Sequence, residues 1–102
     1  MNTSKSECAH NRTALFPLGQ IVATPGALEA LEASHQSAME FVERHAAGDW
    51  GELSAADIAE NELSLKNGFR LLSSYTTAAR QKLWVITEAD RSATTLLLPD
   101  EY

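Results

Sequence analysis

The sequence RHAAGDWGE holds the densest group of side chains that could do chemistry. His45 lies beside Arg44, and two carboxylates, Asp49 and Glu52, follow on either side of Trp50. An imidazole near a carboxylate can act as a general base or acid close to neutral pH. The same residues also suit a structural role, in which Arg44 and His45 favour the carboxyl end of a helix and Asp49 shapes the next turn. We favour the structural role, and we expect Trp50 to fill the core.

A second polar group lies near the C-terminal end, where the sequence reads TEADR. Glu88 and Asp90 are close enough along the chain to share a proton or to bind a metal ion. A simpler interpretation is an exposed hairpin turn in which Arg91 pairs with one of these carboxylates, a contact that contributes about 1 kcal/mol or less. We favour the turn.

One arrangement would turn the two groups into a catalytic site. If Arg70 and Tyr75 faced the same region as His45 and Glu88, a set of His, Arg, Glu, Thr and Tyr would lie on an antiparallel sheet behind N-terminal helices. That arrangement resembles small RNases of the barnase and RelE type. The resemblance concerns architecture alone, and catalysis requires His45, Arg70 and Glu88 to converge in one cleft. The sequence has no Gly-rich phosphate loop, no His-Glu-x-x-His and no Cys-x-x-Cys, so we expect no cofactor and no metal.

An excess of acidic residues is the main indication of a partner. The formal net charge is −6, and the Lys and Arg residues are scattered along the sequence. Nucleic-acid binding needs clustered cations, so direct binding of nucleic acid is not expected. An acidic protein can attract a basic surface, so a protein partner with such a surface is open, although an excess of this size is also common in cytosolic proteins without such a role.

The expected compartment is the cytoplasm. The single cysteine, Cys8, cannot form an internal disulfide, and the N-terminal residues contain no apolar segment typical of a secretory signal. No stretch approaches the ~20 apolar residues that span a bilayer, so no membrane association is expected. The sequence leaves a homodimer open.

Hydrophobic periodicity and capping residues place the elements that must position these side chains. Residues 1–14 are polar and aperiodic and are expected to be a flexible tail, which leaves residues 15–102 as a single domain. Helices are expected to begin after Thr24, Ser37 and Ser54 and to end near Gly48 and Gly68, and strands are expected at 19–24, 70–76, 82–87 and 94–98. The fold class is therefore α+β: a short N-terminal strand, about three helices and a three-stranded antiparallel meander packed against them.

Two finer expectations concern packing. Apolar residues of the second and third helices are expected to face the core, namely Met39, Phe41, Val42, Ile58, Leu63 and Leu65. The middle strand of the meander is apolar on both faces and should be central, whereas the last strand could be an edge open to a second copy.

Four phrases carry a resemblance to known proteins. In order they are FPLGQIVATPGALEAL, RHAAGDWGEL, GFRLLSSY and WVITEADRSATTLLLPDEY, and they extend over nearly all of residues 15–102. Through them the chain resembles a family of small bacterial proteins from plasmids and integrative elements. The resemblance implies a mobile-element setting, in which small acidic proteins sometimes act against host defence systems. The resemblance does not indicate any particular activity.

The leading hypothesis is a non-enzymatic interaction module of a mobile element, with inhibition of a host defence complex as its specific form. Its expected binding residues are Asp49, Trp50, Glu52, Glu88, Asp90 and Arg91. The alternative is a small RNase-like enzyme in which His45, Arg70 and Glu88 are the catalytic residues.

Overall fold

The computed structural model describes residues 14–102, so nearly all of the expected tail lies outside the described residues. The described chain forms three α-helices and one four-stranded sheet. In chain order the elements are β1 (Gln20–Ala23), α1 (Pro25–Ser34), α2 (Ala38–Ala46), α3 (Ala55–Asn67), β2 (Leu71–Thr76), β3 (Lys82–Thr87) and β4 (Ala93–Leu97), followed by a 3₁₀ turn at Pro99–Glu101. The expected α+β class and the expected order of elements are confirmed.

The strands lie in the order β1-β4-β3-β2. The last three strands form the expected antiparallel meander, with β3 inside the sheet, while β1 pairs in parallel with β4. The sheet as a whole is therefore mixed. The expectation that the last strand could be an edge is wrong, because β1 occupies its free side. The two edges of the sheet are β1 and β2.

The helices begin at the expected residues because side-chain oxygens cap them. The hydroxyls of Thr24, Ser37 and Ser54 each accept a hydrogen bond from the backbone N–H three residues further on, at 3.1, 3.3 and 3.2 Å. α3 ends as expected at Gly68, whose φ of 74° lies in the left-handed region. α2 ends at Ala46, and its C-cap is Ala47 rather than the glycine that follows.

Alternation along the strands divides the sheet into two faces. The inner face packs against α1 and α2, and the resulting core cluster consists of Ala27, Leu31, Phe41, Val42, Tyr75, Leu83, Val85 and Leu96. Phe41 and Val42 face the core as expected, but Met39 is 45% exposed. The buried stripe of α2 is centred on Phe41, Val42 and His45, and Met39 lies at its margin.

α3 docks at the edge of β2 rather than on a face of the sheet. Its most buried residue is polar: the Asn61 side-chain NH₂ donates to Leu72 O at 2.6 Å, and its oxygen accepts from the Leu72 N–H at 3.1 Å. The expectation that Ile58 and Leu63 fill the core is therefore wrong, since both are exposed. Only Leu65 of the expected apolar set on α3 packs against buried apolar neighbours.

Candidate functional site

His45 lies in a chain of buried polar side chains between α2 and the inner face of the sheet. Its Nδ1 is 2.5 Å from Ser73 Oγ, and its Nε2 is 2.9 Å from Thr87 Oγ1. The chain continues from Thr87 Oγ1 to Thr94 Oγ1 at 2.8 Å, and Thr94 Oγ1 donates to Leu18 O at 2.7 Å. His45, Ser73, Thr87 and Thr94 have no exposed surface. We call these four residues the polar chain.

The number of available protons sets the direction of the hydrogen bonds in the polar chain. The Leu18 carbonyl can only accept, so the Thr94 hydroxyl donates its proton there and accepts from Thr87. Thr87 then has no proton left for the imidazole, so His45 donates from Nε2 and accepts from the Ser73 hydroxyl at Nδ1. We assign the neutral Nε2–H tautomer to His45 on this basis.

Two aromatic rings enclose the imidazole. The centroids of Phe16 and Trp50 lie 5.2 and 5.7 Å from that of His45, and both contacts are edge-on. Burial, with a smaller contribution from the positive charge of Arg91, lowers the pKa of His45 from 6.5 to about 4. The imidazole is therefore neutral at pH 7 and serves as a structural hydrogen-bonding group.

This lowered pKa makes the free energy of unfolding depend on pH. The unfolded chain takes up the His45 proton below pH 6.5, and the folded protein resists doing so until about pH 4. Stability is therefore highest above pH 6.5 and falls by about 2 kcal/mol between pH 7 and pH 5. Urea unfolding at the two pH values measures this loss.

A histidine elsewhere supplies the control for that measurement. His35→Asn keeps a residue that tolerates the positive φ of 57° at that position, and it should retain the full pH dependence. His45→Leu should remove most of it. The same slope in His45→Leu and wild type would contradict the assignment.

The structure does not bring the three residues of the catalytic hypothesis together. His45 has no exposed surface, whereas Arg70 and Glu88 are exposed. The Arg70 guanidinium lies over the Tyr102 ring, 5.4 Å from its centroid. A substrate could not reach the imidazole without unfolding the polar chain, so the required cleft is not formed.

The first group of expected binding residues is largely engaged within the fold. Trp50 is buried, as expected for a core residue, and its indole N–H donates to Glu62 at 3.1 Å. Asp49 forms an ion pair with Arg44 at 2.8 Å. Glu52 is exposed and pairs with Lys82 on β3 at 2.6 Å. Glu52 is the most exposed residue of this group, but its carboxylate also accepts from the Thr76 hydroxyl at 2.8 Å.

In the second group, Arg91 binds main-chain carbonyls and not the neighbouring carboxylates. Its guanidinium donates to Phe69 O at 2.7 Å and Ser64 O at 3.2 Å, at the carboxyl end of α3, and to the carbonyls of its own turn. The expected pairing with Asp90 or Glu88 is therefore wrong, because helix-terminal carbonyls compete for the cation. Asp90 instead accepts from the Ser92 N–H at 3.0 Å, and Glu88 is exposed.

The two groups meet inside the protein, through one aromatic side chain. The Arg91 guanidinium lies over Phe16 at 5.7 Å, and Phe16 stacks on Trp50 with centroids 6.3 Å apart. This contact fastens the last hairpin to the loop before α3. It joins the segments structurally and does not form a shared surface.

The helices α1 and α2 do not cover the outer face of the sheet. The strands contribute Val22, Leu72, Trp84, Ile86, Thr95 and Leu97 to it, as the strand pairing requires. Val22 is 43% exposed, Leu72, Trp84 and Thr95 are half-buried, and Ile86 and Leu97 are buried. The ring of Tyr102 packs edge-on against Trp84, with centroids 5.8 Å apart. We call these six strand residues the outer face.

A shallow groove extends the outer face toward α3. Its volume is about 120 Å³, and its lining includes Asp57, Glu60, Arg70 and Leu72. Two carboxylates and one guanidinium therefore border the apolar surface at this end. The groove suits a side chain with a cationic tip and an apolar stem better than an anionic one.

The roles of two kinds of residue were not predicted from the sequence. Ser73, Thr87 and Thr94 each occupy an inward position of a different strand, and that repetition of hydroxyls at core positions is the signal that identifies a polar chain. Asn61 lies on the same helical side as Leu65, where an apolar residue would be usual. A polar residue in an apolar stripe indicates docking through hydrogen bonds.

Comparison with protein-family models, with curated proteins and with solved structures finds no match to this chain. Among residues 14–102, no three His, Cys, Asp or Glu side chains are grouped so that they could hold a metal ion. Within the same range, no helix has both the length and the apolar character needed to cross a membrane.

Proposed function

We propose that this protein is a non-enzymatic interaction module that binds a basic surface of another protein through its outer face. The observation that carries the proposal is the outer face itself. α1 and α2 pack on the opposite side of the sheet and α3 docks at an edge, which leaves apolar side chains such as Val22 and Trp84 available. Apolar surface of this kind beside charged residues is typical of protein–protein interaction sites.

The charges around the outer face support a basic partner. Of the cations near it, Arg70 lies over the Tyr102 ring and Lys82 pairs with Glu52. The exposed carboxylates of Asp57 and Glu60 border the groove. Their charge would speed association with a cationic surface and discriminate against an acidic one.

The buried histidine supports a binding role over a catalytic one. The residue most suited to proton transfer uses both ring nitrogens in the polar chain and has no access to solvent. The mobile-element setting and action against a host defence complex stay predictions from the resemblance. The identity of the bound protein will test them.

Affinity capture tests the proposed function. Immobilised wild type is expected to retain one stoichiometric protein from bacterial lysate at low salt. Thr95→Lys places a cation in the middle of the outer face and should weaken capture at least about tenfold. Met39→Lys is the matched control, because Met39 is exposed on α2, an element that packs on the inner face. Equal capture by Thr95→Lys and Met39→Lys, or no captured protein, would count against the proposal.

A further inference from the structure

We propose that the partner binds by adding an extended, basic segment as a fifth strand along the free edge of β1. This inference rests on the proposed function and specifies its binding mode. It starts from a difference between the two edges of the sheet. One edge is closed by the protein's own residues, and the other is open as far as residues 14–102 show.

The β2 edge is closed at successive outward-facing residues. Asn61 satisfies both backbone groups of Leu72, as described above. The Ser74 N–H donates to Trp50 O at 3.1 Å, and Ser74 O accepts from the Glu52 N–H at 2.7 Å. An added strand would have to displace α3 and the loop before it. Edges covered in this way resist strand addition.

No residue of the described part of the chain covers the β1 edge in this way. The Gln20 N–H donates to Ser92 O and the Thr24 N–H donates to Leu96 O, both at 3.0 Å, so alternate residues turn their backbone groups toward β4. Ile21 and Ala23 must then turn theirs away from β4, to the side where the described residues place no strand. The sequence of β1, QIVA, contains no charged residue and no proline, the usual protections of an edge strand.

Two side chains at this edge are exposed. Ile21 is 40% exposed and Val22 is 43% exposed, on opposite faces of the sheet. An added strand would place alternate side chains beside Val22, where they extend the outer face. Strand addition therefore connects directly with the surface of the proposed function, since backbone bonds supply affinity and alternate side chains supply specificity.

The charge distribution indicates which kind of segment binds at the β1 edge. β1, α1, β4 and the 3₁₀ turn contain four carboxylates and no Lys or Arg: Glu29, Glu32, Asp100 and Glu101. The cations of the described chain all lie between residues 44 and 91. A second copy paired through β1 would bring two acidic sets of elements together, whereas a segment rich in Lys or Arg would meet elements of opposite charge. The occupant is therefore a basic segment of another protein.

Synthetic peptides test this mode without knowledge of the natural partner. The probe is a short, labelled peptide that alternates Lys and Val, and its binding is followed by fluorescence anisotropy and by hydrogen exchange of the backbone amides. We expect saturable binding that slows exchange of the Ile21 and Ala23 amides. The same peptide N-methylated at alternate residues, and its Glu–Val counterpart, should each bind at least about tenfold more weakly.

Ile21→Pro is the decisive variant. It removes an N–H that faces away from β4, so it leaves the bonds to β4 in place, and proline is tolerated on an edge strand in that position. Ile21→Lys, which keeps the N–H but places a cation on the edge, provides a second variant should the proline disturb folding. Both variants are expected to bind the Lys–Val peptide at least about tenfold more weakly than wild type, and their circular dichroism spectra should be unchanged.

Three results would overturn the inference. The first is that the Lys–Val peptide does not bind saturably, and the second is that folded Ile21→Pro and Ile21→Lys bind it as tightly as wild type. The third is that the protein forms a concentration-dependent dimer that Ile21→Pro abolishes. Capture from lysate distinguishes a wrong binding mode at the β1 edge from a wrong proposed function. A protein retained equally by wild type and Ile21→Pro but lost with Thr95→Lys would keep the outer face and reject the β1 edge.

Discussion

Replacement of His45 by leucine is expected to lower the free energy of unfolding by about 3 kcal/mol at pH 7. Leucine is close to histidine in size, so the loss comes from polar groups and not from a large cavity. The Ser73 hydroxyl loses the acceptor of its proton, and Thr87 loses the donor to its oxygen, in a site without exposed surface. Urea unfolding monitored by the fluorescence of Trp50 and Trp84 measures the change.

A partial return of stability would identify the polar chain as the cause. In the His45→Leu background, Ser73→Ala and Thr87→Val remove the groups left without partners, and we expect them to restore more than half of the lost stability. Thr94 keeps its bond to Leu18 O in this variant. In the wild-type background the same two substitutions should destabilise, because they leave the imidazole unsatisfied. If His45→Leu is as stable as wild type, or if the effects of His45→Leu and of the Ser73→Ala/Thr87→Val pair are additive, the polar chain does not stabilise the core as we describe.

Replacement of Asn61 by leucine should have an effect of similar size for a different reason. The amide of Asn61 is the only described partner of the outward backbone groups of Leu72, and it holds α3 to the sheet. Leucine would leave one N–H and one C=O without partners and release the helix, at a cost of about 2–4 kcal/mol. We expect faster hydrogen exchange along α3 and a lower urea midpoint.

Two neighbouring variants make the Asn61 result specific. Glu60→Ala changes an exposed residue of the same helix and should alter stability by less than about 0.5 kcal/mol. Asn61→Asp keeps an acceptor for the Leu72 N–H but faces the Leu72 carbonyl with an oxygen, so it should retain only part of the stability. Slow exchange of α3 in Asn61→Leu would show that apolar contacts, such as those of Leu65, suffice to dock the helix.

Local rules predicted the elements well because each boundary is set by a few adjacent residues. Thr24, Ser37 and Ser54 cap helices wherever a free N–H lies three positions ahead, whatever the rest of the fold does. Strand periodicity likewise predicted the meander and the central place of β3. The pairing of β1 with β4 joins the two ends of the described chain, and no local pattern encodes such a contact.

Side-chain partners were harder to predict because they depend on which elements meet. Arg91 was expected to pair with a neighbour in sequence, and it binds carbonyls at the end of α3, which the fold brings to it. Asp49, one of the expected binding residues, pairs with Arg44, while Trp50 is buried as favoured and bonds to Glu62. His45 is structural as favoured, but its partners in the polar chain lie on three strands of the sheet and not at the end of its own helix.

Mapping where the bound protein contacts this protein tests most directly whether the outer face is the binding site. Purified captured partner would be titrated into isotope-labelled protein while backbone amide resonances are followed by NMR. We predict that the chemical-shift changes concentrate on Val22, Trp84 and Thr95 of the outer face and on Ile21 at the β1 edge, and that α2 is unaffected. Shifts centred on α1 and α2, with the outer face silent, would contradict it.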